Sequence, residues 1–198
     1  MSFRVEQKIP MTFSDSQEFL EYLKVEGIEN LYPKRVIKSK YFDSYDFSMY
    51  RDSEEGLLPR KKIRFRKYPY STKSSYSLEI KISSVEGRYK TSKKISDCES
   101  RDYFKNGYHD NVYGLVEEKV CVEYLREYFL FKGIRITRDT EISYMDLFNR
   151  SKVYSEKDVV VEIKAPENAP ADFLLKIIPS KRRRFSKYCN AIKSLNLA

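Results

Sequence analysis

The chain has 198 residues, 38 of them Lys or Arg against 29 Asp or Glu, which gives a net charge of +9. That length suits a single domain, 1–198, with a real core, and a hydrophobic fraction of 41% excludes a disordered chain although 34% of residues are charged. The positive balance calls for an anionic partner: nucleic acid, nucleotide, membrane surface or another polyphosphate.

Cys98, Cys121 and Cys189 are odd in number and widely spaced, which indicates neither a disulfide framework nor a zinc site. His109 is the only histidine, so a histidine-based triad or a multi-histidine metal centre is excluded. The segment Met1-Ser2-Phe3-Arg4-Val5-Glu6 carries charge where a signal peptide needs an apolar core, and no uncharged run of 18 apolar residues occurs. A soluble cytoplasmic protein with no membrane segment is expected.

From the N-terminus, Phe3 to Ile9 alternates as a strand with Arg4, Glu6 and Lys8 on one face. Ser14-Asp15-Ser16-Gln17 predicts a capping box for a helix with the stripe Phe19, Leu20 and Leu23, ending near Gly27. Val36 to Phe42 predicts a second strand, and Asp52-Ser53-Glu54-Glu55-Gly56 a loop. Arg60 to Tyr68 is the most telling strand: Arg60, Lys62, Arg64 and Arg66 share one face, about 7 Å apart, while Ile63 and Phe65 share the other. Such a row repels itself unless water screens it or a polyanion lies against it.

Tyr76 to Ser83 returns as a strand with Glu79 and Lys81 opposite Leu78, Ile80 and Ile82, and Tyr89 to Ile95 follows with Lys90, Lys93 and Lys94. Asp97 to Glu118 reads as short helices and loops. Val120 to Phe131 predicts a strand with Tyr124, Arg126 and Tyr128 on one side, Ile134 to Ile142 another, and Val159 to Lys164 a last one before Ala165-Pro166. The period then lengthens. Phe173 to Ile178 predicts a short helix, and Ser180 caps a final one whose stripe is Phe185, Tyr188, Cys189 and Ile192. Arg182, Arg183, Arg184 and Lys187 crowd its first turns, which fits either a solvated basic patch or an anion site.

At least six strand candidates thus have one apolar face and one of Arg, Lys and Glu. Two arrangements satisfy that pattern: an ordinary sheet with its charges in water, or a closed antiparallel barrel with charges around a water-filled bore that suits a linear polyanion. Periodicity alone does not choose between them. The aromatics fall mostly opposite the cations, which argues against single-stranded nucleic acid. No glycine-rich phosphate loop is present, so phosphate binding must rest on side chains.

Eight short motifs run in order along the chain: Arg4-x-Glu6-x-Lys8, Lys40-Tyr41-Phe42-Asp43-Ser44, Lys62-x-Arg64-x-Arg66-x-Tyr68, Leu78-Glu79-Ile80-Lys81, Tyr124-x-Arg126-Glu127, Arg135-Ile136-Thr137-Arg138-Asp139-Thr140, Val161-Glu162-Ile163-Lys164 and Phe185-Ser186-Lys187-Tyr188. In this order they resemble the polyphosphate polymerase domain of the vacuolar transporter chaperone (VTC) family, within the triphosphate tunnel metalloenzymes and related to the CYTH proteins. The resemblance implies an α+β fold, an antiparallel β-barrel tunnel with flanking helices, that transfers the ATP γ-phosphate to inorganic polyphosphate with Mn²⁺ or Mg²⁺. It implies catalytic roles for Lys8, Arg64, Arg66, Lys81, Arg126 and Lys187, and substrate contacts from Lys62, Lys94 (rather than Lys93), Tyr124, Arg135, Lys164 and Ser186. Glu162 is the implied metal ligand, with Glu6 second. The alternatives are a tunnel triphosphatase, a nucleotide cyclase, or a non-catalytic polyanion-binding module.

Overall fold

Alternation of apolar and charged side chains dominates the chain, and antiparallel strands follow from it; helices form where the period lengthens. The computed structural model describes residues 4–71, 75–166, 169 and 184–198. Among them lie β1 (Arg4–Met11), α1 (Phe13–Val25), β2 (Glu29–Asp43), α2 (Ser48–Glu55), β3 (Arg60–Lys67), β4 (Ser77–Ser84) and β5 (Gly87–Lys94). There follow α3 (Asp97–Asn106), β6 (Tyr108–Asp110), β7 (Gly114–Phe131), β8 (Ile134–Asp146), β9 (Val153–Ser155), β10 (Val159–Pro166) and α4 (Lys187–Ser194). The strand order is β1-β10-β8-β7-β2-β3-β4-β5, with β6 on β7 and β9 on β8.

The expected antiparallel α+β architecture is therefore present, but its hydrogen-bonded path is open: among the described residues no pairing joins β1 to β5. The exposed Tyr89 to Lys94 run on β5 carries Lys90, Lys93 and Lys94, and lysines on an edge strand discourage further pairing. The described residues gather into two compact units. The first draws on Met1–Arg35, Tyr124–Ile142 and Glu156–Phe185, the second on Val36–Glu123, Ser143–Ser155 and Ser186–Ala198.

In the first unit, α1 lays Leu20 and Leu23 over Ile9, Ile136, Val161 and Ile163. Burying those strand residues turns their neighbours to the opposite face: Glu6 and Lys8 of β1, Glu162 and Lys164 of β10, and Thr137 of β8. The pairing aligns Lys8 with Glu162, Glu6 with Lys164, and Glu162 in turn with Thr137. The predicted capping box at Ser14 is corrected by two residues: Thr12 is the cap, its side chain accepting from the Asp15 N–H at 3.1 Å. The helix starts at once where β1 ends. Lys132 and Gly133, with φ of 47° and 78°, make the two-residue turn that joins β7 to β8.

In the second unit, Ile63 and Phe65 of β3 are fully buried with Phe42, Met49, Leu78, Ile95 and Val116, and the rings of Tyr103 and Phe104 pack against that cluster. The segment predicted as a loop at Asp52–Gly56 is instead the end of α2, closed by Gly56 at φ 78°. Its anchor is remote in sequence: Asp43 accepts from the N–H groups of Met49 and Tyr50, both at 2.9 Å. The Asp97–Glu118 segment resolves into α3, opened by a Ser96/Glu99 capping box, then β6 and the start of β7. Ser186 caps α4, accepting from the Cys189 N–H at 3.3 Å, and Tyr188, Cys189 and Ile192 are buried as their stripe predicts. The final helix thus takes Ser186 as its cap and not the expected Ser180, because residues 184–186 are not helical, and Arg184 precedes it; the helix expected at Phe173–Ile178, and Ser180, Arg182 and Arg183 themselves, lie outside the described residues.

Candidate active site

Two charged faces, one in each unit, hold the residues singled out from the sequence. In the second unit, Lys62, Arg64 and Arg66 leave β3 on the side away from Ile63 and Phe65. Cross-strand register sets Lys62 beside Lys81 and Lys81 beside Lys90, so three lysines stand abreast on β3, β4 and β5. One position along, Arg64 faces Glu79, and next Arg66 faces Ser77, which faces Lys94. Like charges placed directly opposite destabilise a sheet. Glu79 is the carboxylate that answers them on this part of the face.

Glu79 takes Arg64 Nε on Oε2 at 2.7 Å and Lys90 Nζ on Oε1 at 2.7 Å, with Arg66 Nη1 at 3.8 Å. Burial raises its pKa, but Arg64, Arg66 and Lys90 outweigh burial and bring it down to about 2. Arg64 Nη1 also donates to the Tyr41 hydroxyl at 2.9 Å, and Arg66 Nε to Ser39 Oγ at 3.2 Å. Burial opposes ionisation of Tyr41 too, yet Arg64 and Arg66 leave its hydroxyl below the usual phenol value, with Lys187 contributing. The Tyr41 ring stacks on Tyr188, centroids 5.2 Å apart, and Tyr188 donates to Asp43. Lys62 Nζ donates to Ser186 Oγ at 2.8 Å, which links β3 to the cap of α4. Lys94 lies on the cationic face, whereas Lys93 points to Glu99 at 3.4 Å.

In the first unit the centre is Glu162. It lies 3.5 Å from Arg126 Nη2 and 2.9 Å from Lys164 Nζ. Lys164 Nζ also approaches Glu6 at 3.7 Å, so one ammonium bridges two carboxylates, while Lys8 sits 3.4 Å from Glu6. Burial pushes the Glu162 carboxyl upward, but Lys8, Arg126 and Lys164 together hold it well below the usual carboxylate range. Arg126 makes a two-pronged bond to Asp139, at 2.6 and 2.8 Å, and its guanidinium lies 5.3 Å from the centre of the Tyr124 ring. Arg135 is paired with Lys164 in register and is exposed.

Thr137, directly opposite Glu162, is 5% exposed, and its hydroxyl finds no hydrogen-bond partner among the described residues. Among the described residues no group of three or more His, Cys, Asp or Glu side chains gathers to hold a metal. The pair Glu6 and Glu162, with the neutral hydroxyl of Thr137, still fits a small hard dication. Mg²⁺ is characteristically held by one or two carboxylates and takes its remaining oxygens from water and phosphate.

Every site residue expected from sequence thus lies in one or the other cluster or at its edge. Sequence reasoning missed the roles of Glu79, Tyr41, Asp139 and Thr137. The alternation did put Glu79 on one face with Lys81, which was a usable signal. Thr137 and Asp139 both fall in the Arg135–Thr140 motif, but no local pattern gives either a role.

The family model for the VTC domain matches residues 4–196. No match was found among curated protein sequences. Among solved structures, a protein from Pyrococcus horikoshii superposes with a TM-score of 0.64 at 15% identity, covering 97% of this chain and 99% of that one. A proposed adenylate cyclase from Bacillus halodurans gives 0.58 at 10% identity, covering 100% and 91%. A proposed adenylyl cyclase from Hippeastrum, described as revealing a dominant triphosphatase activity, gives 0.58 at 13% identity, covering 97% and 96%. At such identities the likeness establishes a shared fold. No helix among the described residues is long and apolar enough to cross a membrane.

Proposed function

Because the chain belongs to the VTC domain family, whose model spans residues 4–196, we propose that it is a polyphosphate polymerase, transferring the γ-phosphate of ATP to the end of a growing polyphosphate chain. A terminal oxygen of the acceptor forms the new bond to the γ-phosphorus as the bond to the β-phosphate bridging oxygen breaks, and ADP leaves. The acceptor is already ionised near neutral pH, so the step needs no protein base. Alignment and charge neutralisation are what remain to be supplied.

The observation that carries this reading is the ionised Glu162 ringed by Lys8, Arg126 and Lys164. In this reading Lys8, Arg126, Arg135 and Lys164 in the first unit, and Lys62, Arg64, Arg66, Lys81, Lys94 and Lys187 in the second, take phosphate oxygens. Arginine forks add two-point geometry to charge. Tyr124 and Ser186 donate hydrogen bonds. Glu162 and Glu6 hold the divalent ion, which when bound neutralises charge on the phosphoryl group in flight. His109, exposed on β6, takes no part.

Incubation with ATP and Mn²⁺ tests it: ADP with a ladder of phosphate chains is expected, and orthophosphate as the only new phosphate product would overturn it. A second reading, hydrolysis of a triphosphate on the same cationic groups, draws on the triphosphatase activity described for the Hippeastrum protein. It predicts orthophosphate without the ladder, while cyclase activity predicts pyrophosphate and a cyclic nucleotide.

A further inference from the structure

Two residues beyond Arg126 on β7 stands Tyr128, on the same strand face and about 7 Å further along. Its ring meets that of Tyr32 edge to face, centroids 5.7 Å apart and planes at 82°. The Arg35 guanidinium lies 4.8 Å from the Tyr128 centroid and 5.5 Å from that of Tyr32. These two rings, with Asn30, Lys34 and Glu127, help to line an open surface groove of about 490 Å³. All of these residues belong to the first unit, with Arg126 and Glu162.

The chemistry of this groove differs from that of the charged face beside it. A chain of phosphates gains nothing from two phenol rings, whereas a flat heteroaromatic ring gains a stack on the open face of one of them while the other, at 82°, meets it edge to face. The Asn30 amide offers both a donor and an acceptor to such a ring's edge. The offset of two strand residues from Arg126 leaves room for a sugar between a phosphate and a base.

We propose that the groove at Tyr32 and Tyr128 seats the nucleobase of the nucleotide whose phosphates lie at Arg126 and its neighbours. The proposal rests on the phosphate-binding reading above, and it adds a reason for the protein to take a nucleoside triphosphate in preference to inorganic triphosphate. Stacking is sequence-tolerant, so guanosine nucleotides bind as well as adenosine ones.

The test compares ATP with inorganic tripolyphosphate, by calorimetry, on the full chain and on Tyr32→Leu and Tyr128→Leu. Tyr32 is 52% exposed, so its replacement leaves the fold intact. In each variant ATP affinity should fall roughly tenfold, the effect of losing one base stack, and tripolyphosphate affinity should stay within about twofold of the original. Unchanged ATP affinity, or an equal loss for both ligands, overturns the proposal. Saturation-transfer NMR with adenosine alone separates the two readings. Transfer from tyrosine rings that Tyr32→Leu removes supports the groove even if tripolyphosphate fails to bind, in which case the phosphate reading falls alone; no transfer counts against the groove.

Discussion

Thr137 stands directly across the β8–β10 pairing from Glu162, buried, its hydroxyl answered by no hydrogen bond among the described residues. An unanswered buried hydroxyl is costly in the free protein and useful only when something arrives to meet it. Thr137→Val keeps the shape and removes the hydroxyl. It should raise stability by about 1 kcal/mol, a Tm gain of about 2–4 °C at this chain length, while weakening Mn²⁺ binding followed by electron paramagnetic resonance. Loss of stability with metal affinity intact would assign Thr137 to packing alone.

Glu162→Gln should cut turnover by about a hundredfold or more, the scale of losing a principal electrostatic group. The change also leaves Lys8, Arg126 and Lys164 without the charge that holds them together, so a stability loss of about 3 kcal/mol is expected. Glu162→Ala would add a void to that loss and is the poorer test. Urea unfolding alongside the assay separates the two effects, and full activity in a folded Gln variant would remove Glu162 from the metal role.

Glu79 gives opposite signs for stability and binding. Glu79→Gln frees Arg64, Arg66 and Lys90 of their carboxylate, which should destabilise the fold by about 3 kcal/mol, yet tighten the hold on inorganic tripolyphosphate several-fold. Calorimetry showing weaker binding would mean that Glu79 aligns the cations rather than merely balancing them.

The acid limb of stability should trace to the same residue. Its folded pKa of about 2 lies below its unfolded value, so its contribution is fully present above roughly pH 4.5 and is lost as pH falls towards about 2. Thermal melts of the native protein and Glu79→Gln should therefore converge across that interval. Parallel curves between pH 5 and 2 would show that other carboxylates govern acid unfolding.

For Arg64→Ala, nucleotide affinity should drop about tenfold or more, because the residue combines a two-point guanidinium with burial beside Tyr41. Lys94→Ala, at the exposed end of the same face, should lose less and regain it as salt is lowered. Equal losses in both would make the face a diffuse charge and not a set of aimed donors.

The strands and the faces they present were legible because period-two alternation survives any tertiary context: Ile63 and Phe65 went in, Lys62, Arg64 and Arg66 went the other way. What escaped notice depends on contacts distant in sequence. The anchor of α2 is Asp43, several residues before the helix, and the cap residue Phe47 has no capping side chain. Thr137 acquires meaning only from a partner strand 25 residues on, through a register that no local pattern encodes. Tyr41, Tyr124 and Tyr128 also qualify the expectation that aromatics avoid the cationic side: Tyr41 touches Arg64, Tyr124 lies under Arg126, and Tyr128 meets Arg35.

If the second unit takes phosphate as proposed, the three lysines abreast on β3, β4 and β5 make it sturdier loaded than empty. An anion lying across them removes their mutual repulsion, and at a hundredfold excess over its Kd it stabilises the folded state by about 2.7 kcal/mol.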